Sequence, residues 1–262
     1  MQIYTHTLPG GAQLIGYLRD RTVEMPAFNT RPAILILPGG GYAWCSRREA
    51  DPVAMQFLQA GYNVFTLYYT CRSDETVPAL RWQPLIDAAG AILHIRRNAE
   101  QFGTDPAKIA ICGFSAGGHL AASAATMLPE EVRPAFAVLI YPVITAEPGK
   151  CHKGSFDHLL GTDRTAGDEA QWSLQNRVTA STPPALLLAA DDDRSVPPVN
   201  SVLFYAALKR HGIPASLRIY PSGGHGGALD PAHIYRAQWR ADILDWLAML
   251  AHEDQKPTSK PR

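Results

Sequence analysis

One stretch of the sequence decides the fold, and it reads Ile109-Ala110-Ile111-Cys112-Gly113-Phe114-Ser115-Ala116-Gly117-Gly118-His119-Leu120-Ala121-Ala122. Its first residues are apolar, as in a buried strand, and its last residues are mostly small, which favours a helix packed close to a sheet. Between them lies a Gly-x-Ser-x-Gly pattern centred on Ser115. Because flanking glycines leave room for a sharp turn, the stretch predicts a strand, a strained turn with Ser115 at its apex, and a helix.

Apolar runs alternate with segments of helical character on both sides of this stretch. The runs predict strands over residues 33–37, 63–69, 109–112, 136–141, 185–189 and 216–220. The segments between and after them predict helices over residues 50–60, 83–102, 117–127, 197–211 and 232–250. Strands that are apolar at nearly every position are covered on both faces, so the alternation indicates an α/β fold with a mostly parallel sheet.

Three segments fall outside this alternation. Residues 4–18, with a turn at 9–11, predict an antiparallel pair added to one edge of the sheet. Residues 147–184 are irregular and predict an excursion with short helices that forms part of a cap over the site. Residues 252–262 are polar and proline-rich and predict a disordered tail. We find no repeat and no interdomain linker, and we therefore expect residues 1–262 to form one domain.

Composition and charge restrict the partners of the chain. It has 262 residues, of which 46% are apolar, and its 24 basic residues balance 24 acidic ones. A neutral net charge argues against a protein that binds nucleic acid mainly by neutralising phosphates. The sequence also contains no basic tract of the kind that binds an anionic membrane surface. The N-terminus lacks the features of a signal peptide, and no apolar stretch approaches the roughly 20 residues of a membrane span. We expect a soluble, cytoplasmic protein with a small-molecule partner; a homo-oligomer is left open.

A serine hydroxyl becomes a nucleophile when a base takes its proton and an acid orients that base. The candidate base is His225, which stands between two pairs of glycines after the run 216–220. The candidate acid lies among three aspartates, 191–193, after the run 185–189. The register is ambiguous, because the aspartates that do not face the histidine can cap the helix that begins near residue 197. We prefer Asp192, with Asp193 second.

The run 33–37 is followed by Pro38-Gly39-Gly40-Gly41-Tyr42. Acyl transfer places negative charge on an oxygen, and backbone N–H groups aimed at that oxygen lower the barrier. We therefore assign the N–H groups of Gly40, Gly41 and Ala116 to an oxyanion hole, although an ordinary glycine turn is the alternative for the loop taken alone. The candidate substrate contacts are Tyr42, Trp44, Trp82 and Arg194. The three aromatic rings can stack on a sugar, and simple packing is the alternative for them.

Over residues 31–250 the chain resembles the α/β-hydrolase superfamily, and more narrowly the carboxylesterases that include bacterial acetyl xylan esterases and short-chain acetyl esterases. The resemblance is carried by Pro38-Gly39-Gly40-Gly41-Tyr42, Ser46-Arg47-Arg48-Glu49-Ala50, Gly113-Phe114-Ser115-Ala116-Gly117-Gly118-His119-Leu120, His152-Lys153-Gly154-Ser155, Leu159-Leu160-Gly161, Asp192-Asp193-Arg194-Ser195-Val196-Pro197 and His225-Gly226. It implies an α/β-hydrolase fold, a mostly parallel, twisted sheet of about eight strands with helices on both faces. The site residues would lie on loops at the C-terminal edge of that sheet.

Two details refine the resemblance. The acidic segment is similar to that of the prolyl oligopeptidase family, where the aspartate five residues before the proline orients the histidine, and here that residue is Asp192. Hormone-sensitive-lipase-like enzymes carry a histidine before the three glycines, whereas this chain carries Pro38. The second detail favours the acetyl esterase branch.

The resemblance implies a serine carboxylesterase that acts on short-chain, acetyl-type esters, with acetylated sugars as candidate substrates. Ser115, His225 and Asp192 would carry the reaction, and this chemistry requires neither a metal nor an organic cofactor. Two alternatives remain open. One is a peptidase or amidase of the same fold, and the other is a non-catalytic binding protein on a hydrolase scaffold. Relatives of the second kind generally lack the serine or the histidine, and both are present here.

Overall fold

The apolar runs of the sequence form a single eight-stranded sheet in a computed structural model, which describes residues 1–74, 76–227, 229–230 and 232–253. The strands are β1 (Gln2–Thr7), β2 (Gln13–Leu18), β3 (Arg31–Leu37), β4 (Asn63–Tyr68), β5 (Thr104–Phe114), β6 (Phe136–Ile140), β7 (Ala185–Ala190) and β8 (Ala215–Tyr220). Their order across the sheet is β1-β2-β4-β3-β5-β6-β7-β8. Pairing is parallel from β4 to β8 and antiparallel for β1 with β2 and for β2 with β4, which confirms the predicted edge pair.

Helices cover both faces of the sheet. They are α1 (Asp51–Gln59), α2 (Gln83–Arg97), α3 (Ala99–Phe102), α4 (Ala116–Met127), α5 (Lys153–Leu160), α6 (Ala166–Trp172), α7 (Val199–Arg210) and α8 (Arg236–Glu253). Short 3₁₀ turns occur at Pro26–Phe28, Arg47–Glu49 and Leu174–Asn176. Apolar residues of α1 and α8 pack on one face, and those of α2, α4 and α7 pack on the other. The predicted α/β-hydrolase architecture is therefore confirmed.

The strands at the centre of the sheet are buried as their composition predicts, but β8 is not. Residues 33–37 of β3 and 109–114 of β5 are buried at every position, whereas every residue of β8 is half-buried or exposed. The reason is position, because β8 is an edge strand that pairs with β7 alone among the described residues. Its apolar character therefore does not mean that it is covered on both faces.

Two predicted helices differ from the structure at their boundaries. The helix predicted over 83–102 is divided at Asn98, whose side-chain amide donates to the carbonyl oxygen of His94 and so competes with the helical pattern. The helix predicted from residue 232 begins at Arg236, because the Asp230 carboxylate accepts the N–H of Ala232 and forms a turn there. At its other end α8 includes residues 252 and 253; the rest of the predicted tail, 254–262, lies outside the described residues.

Residues 147–184 contain the short helices α5 and α6, as predicted for the excursion. Their placement against the site is described below. Among the residues that the structure describes, no helix has both the length and the apolar character required to cross a lipid bilayer.

Helix α4 approaches the sheet as closely as backbone atoms allow. A Cβ atom at Gly117 would lie 2.1 Å from the carbonyl oxygen of Leu37, and a Cβ atom at Gly113 would lie 2.1 Å from the carbonyl oxygen of Gly117. A single residue, Ser115, links β5 to α4, and its φ of 53° lies in the left-handed region. For a non-glycine residue this conformation is strained, so the close packing of helix and strand must impose it.

Crowding at Gly117 and open space at Gly90 predict opposite effects for glycine-to-alanine substitutions at these two positions. Gly117→Ala forces a methyl group into backbone, so we expect a loss of more than about 2 kcal/mol in the free energy of unfolding. Gly90→Ala, inside α2, meets only the Leu8 methyl groups at 3.7 Å, so helix propensity should dominate and stabilise the fold by about 0.5–1 kcal/mol. Urea denaturation measures both. Equal stability of Gly117→Ala and the wild type would contradict the packing argument.

Candidate active site

Four loops meet at the carboxyl ends of β3, β5, β7 and β8, as expected for the ligand site of an open α/β sheet. They surround a cavity of about 270 Å³ whose lining includes Gly40, Ser115 and His225. The excursion 147–184 also contributes, since His152 and His158 line the same cavity. The site therefore combines residues from distant parts of the chain.

Ser115, His225 and Asp193 form a continuous chain of hydrogen bonds. The Nδ1 atom of His225 lies 2.7 Å from Oδ2 of Asp193, and its Nε2 atom lies 2.9 Å from Oγ of Ser115. Since an ionised carboxylate only accepts, Nδ1 carries the proton of the neutral ring and Nε2 accepts from the hydroxyl. The Asp193 side chain is fully buried, whereas His225 is 22% exposed towards the cavity. This arrangement can transfer the hydroxyl proton to the imidazole.

The preferred assignment of Asp192 as the acid was wrong, and Asp193 occupies that place. The Oδ1 atom of Asp193 accepts the N–H groups of Ser195 and Val196, each at 2.9 Å, which turns its carboxylate inwards. Asp192 is exposed, and its Oδ1 atom accepts the N–H of Gly224 at 2.8 Å. That bond lowers the pKa of Asp192 and secures the loop of His225 from outside. The proline-based rule was therefore off by one residue.

The glycine loop after β3 is held with its N–H groups available. Gly40 and Gly41 both have positive φ angles, and a Cβ atom at Gly40 would lie 2.1 Å from the carbonyl oxygen of Trp44. The carbonyl oxygen of Gly41 accepts from Nδ1 of His158 at 2.9 Å. Within the described part of the chain, the N–H groups of Gly40, Gly41 and Ala116 find no acceptor. They are the three N–H groups that we assigned to an oxyanion hole from the sequence, and two of the three residues line the cavity. Their role as oxyanion donors stays a prediction.

Of the four predicted substrate contacts, only Trp44 lines the cavity, and it is 63% exposed there. Trp82 packs against Trp172 with ring centroids 4.8 Å apart, and Arg194 is exposed; neither belongs to the cavity lining. Tyr42 is 1% exposed and is also absent from the lining. The structure therefore does not support Tyr42, Trp82 or Arg194 as substrate contacts.

Tyr42 has a structural partner instead. Its hydroxyl donates to Nδ1 of His119 at 2.8 Å, because Nε2 of that ring must donate to the carbonyl oxygen of Trp172 at 3.0 Å. Burial lowers the pKa of His119 to about 4, so the ring is neutral near pH 7. His119 is therefore a packing residue of the core, and its bond to Tyr42 explains why Tyr42 points away from the cavity.

The sequence reasoning missed the roles of several residues in the site. Glu49, His152 and His158 line the cavity although no local pattern marks them as functional. His152 caps α5 by accepting the N–H of Ser155 at Nδ1, and burial, followed by the field of His225, lowers its pKa. Glu49 and His152 stood in the quoted family motifs, which was the only signal available. Across the described ranges, no three His, Cys, Asp or Glu side chains are arranged to hold a metal ion.

The correction from Asp192 to Asp193 predicts a clear difference between two asparagine variants. In Asp193→Asn the Oδ1 contacts can persist, but an amide N–H₂ faces Nδ1 and favours the wrong tautomer of His225. We expect labelling of Ser115 by a fluorophosphonate to slow by about 10²–10⁴-fold. Asp192→Asn should slow it by less than about tenfold, since the amide oxygen still accepts from Gly224. The reverse ranking would restore Asp192 as the acid.

Comparisons with known proteins agree with this fold. The BD-FAE family model matches residues 23–133, and the model of the Prolyl oligopeptidase family matches residues 91–253. The chain is 35% identical over 247 residues to an acetylxylan esterase from Xylanibacter ruminicola, an alignment that covers 92% of this chain and 49% of that protein. It is 37% identical over 225 residues to endo-1,4-beta-xylanase B from Butyrivibrio fibrisolvens, covering 81% and 34%.

The chain thus spans about half and about a third of the length of these two relatives. Among solved structures, an acetyl ester-xyloside bifunctional hydrolase from Caldicellulosiruptor lactoaceticus superposes with a TM-score of 0.82 at 33% identity, covering 93% of this chain and 90% of that one. These matches confirm the resemblance inferred from the motifs. The chain belongs to the α/β-hydrolase superfamily, in the branch that the prolyl oligopeptidase family model describes.

Proposed function

We propose that the protein is a serine carboxylesterase that hydrolyses short-chain, acetyl-type esters, including those of acetylated sugars. The observation that carries the proposal is the hydrogen-bonded chain from Oγ of Ser115 through His225 to Asp193. It stands beside the unpaired N–H groups of Gly40 and Gly41. A nucleophile, a base with its orienting acid, and oxyanion donors are the parts that acyl transfer needs.

In the proposed reaction, Oγ of Ser115 attacks the ester carbonyl while Nε2 of His225 takes the hydroxyl proton. Asp193 keeps the ring in the required tautomer and stabilises its cation. The N–H groups of Gly40, Gly41 and Ala116 stabilise the negative oxygen, and the N-terminal end of α4 adds its partial positive charge. His225 then returns the proton to the leaving alcohol, and a water that it activates releases the acid. These steps involve no metal or organic cofactor.

Three observations support a small acyl group on a sugar or a similar alcohol. The cavity is only about 270 Å³ and must hold parts of both the acyl group and the alcohol. Trp44 offers an exposed ring at the cavity on which a sugar can stack. The relatives above carry acetyl esters and xylan or xyloside in their names. The small-molecule partner and the cytoplasmic location expected from the sequence stay predictions.

Peptide or amide hydrolysis is the second candidate, because the family model that covers residues 91–253 is that of the prolyl oligopeptidases. Amides have a poorer leaving group than esters, so the same site would have to protonate a departing amine efficiently. The names of the relatives favour the ester. A non-catalytic binding function is disfavoured by the 2.9 Å contact between Ser115 and His225, which a binding protein does not need.

Ser115→Ala tests the nucleophile. The wild-type protein should release acetate from both p-nitrophenyl acetate and acetylated xylose, because Nε2 of His225 is placed to accept the hydroxyl proton. Ser115→Ala should lose at least about 10³-fold in kcat on both substrates. Near-wild-type turnover by the variant would overturn the assignment. Wild-type activity on p-nitrophenyl acetate alone would remove acetylated xylose from the proposal.

The size of the cavity predicts the acyl-chain preference. In a series of p-nitrophenyl esters we expect kcat/KM to be highest for acetate and to fall towards octanoate, because a small acyl group leaves the most room for the alcohol in a cavity of about 270 Å³. Each methylene changes binding by about 1–3 kcal/mol at most, so the decline should be graded. p-Nitroacetanilide is the matched amide and should react far more slowly than the acetate. A maximum at octanoate contradicts the short-chain proposal, and faster cleavage of the anilide favours an amidase.

A further inference from the structure

Glu49 is a buried carboxylate that the reaction described above does not use. It ends the 3₁₀ turn Arg47–Glu49, is only 5% exposed, and belongs to the lining of the active-site cavity. Burying a carboxylate is expensive unless its oxygens are hydrogen-bonded. Here both oxygens have a donor, and each donor leads to a different part of the proposed catalytic machinery.

One oxygen holds the start of the oxyanion loop. The Oε2 atom of Glu49 accepts the N–H of Gly39 at 2.7 Å, and the hydroxyl of Tyr69 donates to the carbonyl oxygen of Pro38 at 2.6 Å. The peptide unit between Pro38 and Gly39 is therefore fixed at both of its polar atoms. The next two N–H groups along the chain, those of Gly40 and Gly41, are the proposed oxyanion donors. Their direction depends on the orientation of this peptide unit.

The other oxygen leads to the base. The Oε1 atom of Glu49 accepts from the hydroxyl of Tyr141 at 2.8 Å, and the Tyr141 ring packs against the ring of His225 with centroids 4.7 Å apart. Ser115 is also close, because a Cβ atom at Gly39 would lie 2.7 Å from Oε2 of Glu49 and 2.9 Å from Cβ of Ser115. One carboxylate thus contacts groups next to the nucleophile, the base and the oxyanion loop.

Stability alone does not explain a charge at this position. Burial raises the pKa of the Glu49 carboxyl, and the hydrogen bonds from Tyr141 and Gly39, with the fields of His225 and Arg48, only oppose that shift. A raised pKa in the folded state means that the ionised form weakens the fold above the ordinary pKa of the group. A neutral side chain of the same size would then be at least as stable there. A carboxyl group that adds no stability here, but that contacts the oxyanion loop and the tyrosine packed on His225, points to a role in the reaction.

We propose that Glu49 is a positioning residue for the ester hydrolysis: its ionised carboxylate fixes the Pro38–Gly39 peptide ahead of the oxyanion donors and adds a second negative charge near the imidazole of His225. Both effects grow when the reaction reaches the tetrahedral intermediate, because the oxyanion then requires its donors and His225 is then a cation. The effect is therefore on the transition state more than on substrate binding. This inference rests on the proposed function.

Glu49→Gln tests the charge while it keeps the size of the side chain and an oxygen that can accept from Gly39. We expect kcat on p-nitrophenyl acetate to fall by about 10–100-fold with KM changed by less than about threefold, as a displaced oxyanion loop predicts. The Tm at pH 8 should be equal to or higher than that of the wild type. The Tm difference should shrink as the pH falls, because protonated Glu49 resembles Gln.

Matched variants make the outcome decisive. Glu130→Gln, at an exposed carboxylate after α4, should leave kcat and Tm unchanged. Tyr141→Phe keeps the ring against His225 but removes the hydroxyl that donates to Glu49, so it should lower kcat by a smaller factor at constant KM. It also decides the question if Glu49→Gln fails to fold.

A wild-type kcat in both variants, or a loss of kcat matched by a clear fall in Tm, would overturn the positioning role. Ser115→Ala separates this result from failure of the proposed function. If Ser115→Ala is inactive and Glu49→Gln is fully active, only the inference about Glu49 fails. If Ser115→Ala retains activity, the esterase mechanism itself fails.

Discussion

The close approach of α4 to the sheet is the constraint on which the rest of the site depends. At Gly117 the helix backbone nearly touches the carbonyl oxygens of Leu37 and Pro38, where any side chain would collide. The chain must therefore turn from β5 into α4 within one residue, and Ser115 adopts a left-handed conformation. The same packing sets the first N–H groups of α4 beside the end of β3, where the glycine loop begins. Ser115 and the proposed oxyanion donors are thus brought together by one backbone contact.

The glycine loop, residues 38–41, is held in place by hydrogen bonds from side chains to its backbone. Its polar atoms are bound from several directions: by Tyr69 at Pro38, by Glu49 at Gly39 and by His158 at Gly41. Each partner comes from a different element of the chain. Donors that are already fixed need not reorganise when charge develops, and such preorganisation contributes much of the rate in enzymes of this kind. The loop is therefore held by hydrogen bonds that do not depend on a bound substrate.

The sequence was sufficient for the sheet and for the pairing of Ser115 with His225 because their signals are local. Apolar runs report burial, and the glycines around Ser115 and His225 report turns that other residues do not tolerate. Local composition failed at β8, where an apolar strand lies at an exposed edge. It failed there because strand order, which places β8 beside β7 alone, is a property of the whole chain.

The choice between Asp192 and Asp193, and the assignment of the substrate contacts, depend on tertiary contacts that local sequence patterns do not contain. Asp192 and Asp193 differ by one position, and the N–H groups of Ser195 and Val196 decide which of them turns inwards. Tyr42 was assigned to the cavity, but His119, far along the chain, binds its hydroxyl in the core. Glu49 received no role from the sequence, because a single glutamate after two arginines is typical of a solvent-exposed segment. In each case a partner distant in sequence or a single backbone N–H settles the role.

The exposure of β8 has a consequence for the thermal stability of the site. Ser115 follows the central strand β5, whose residues 109–114 are buried, whereas His225 follows the edge strand β8. Edges of a sheet open locally at lower free energy than its centre. Ser115 and His225 therefore belong to regions of different local stability. When the protein is heated, we expect the His225 imidazole to lose its position while the Ser115 hydroxyl remains in folded structure. Inactivation will therefore precede melting of the core.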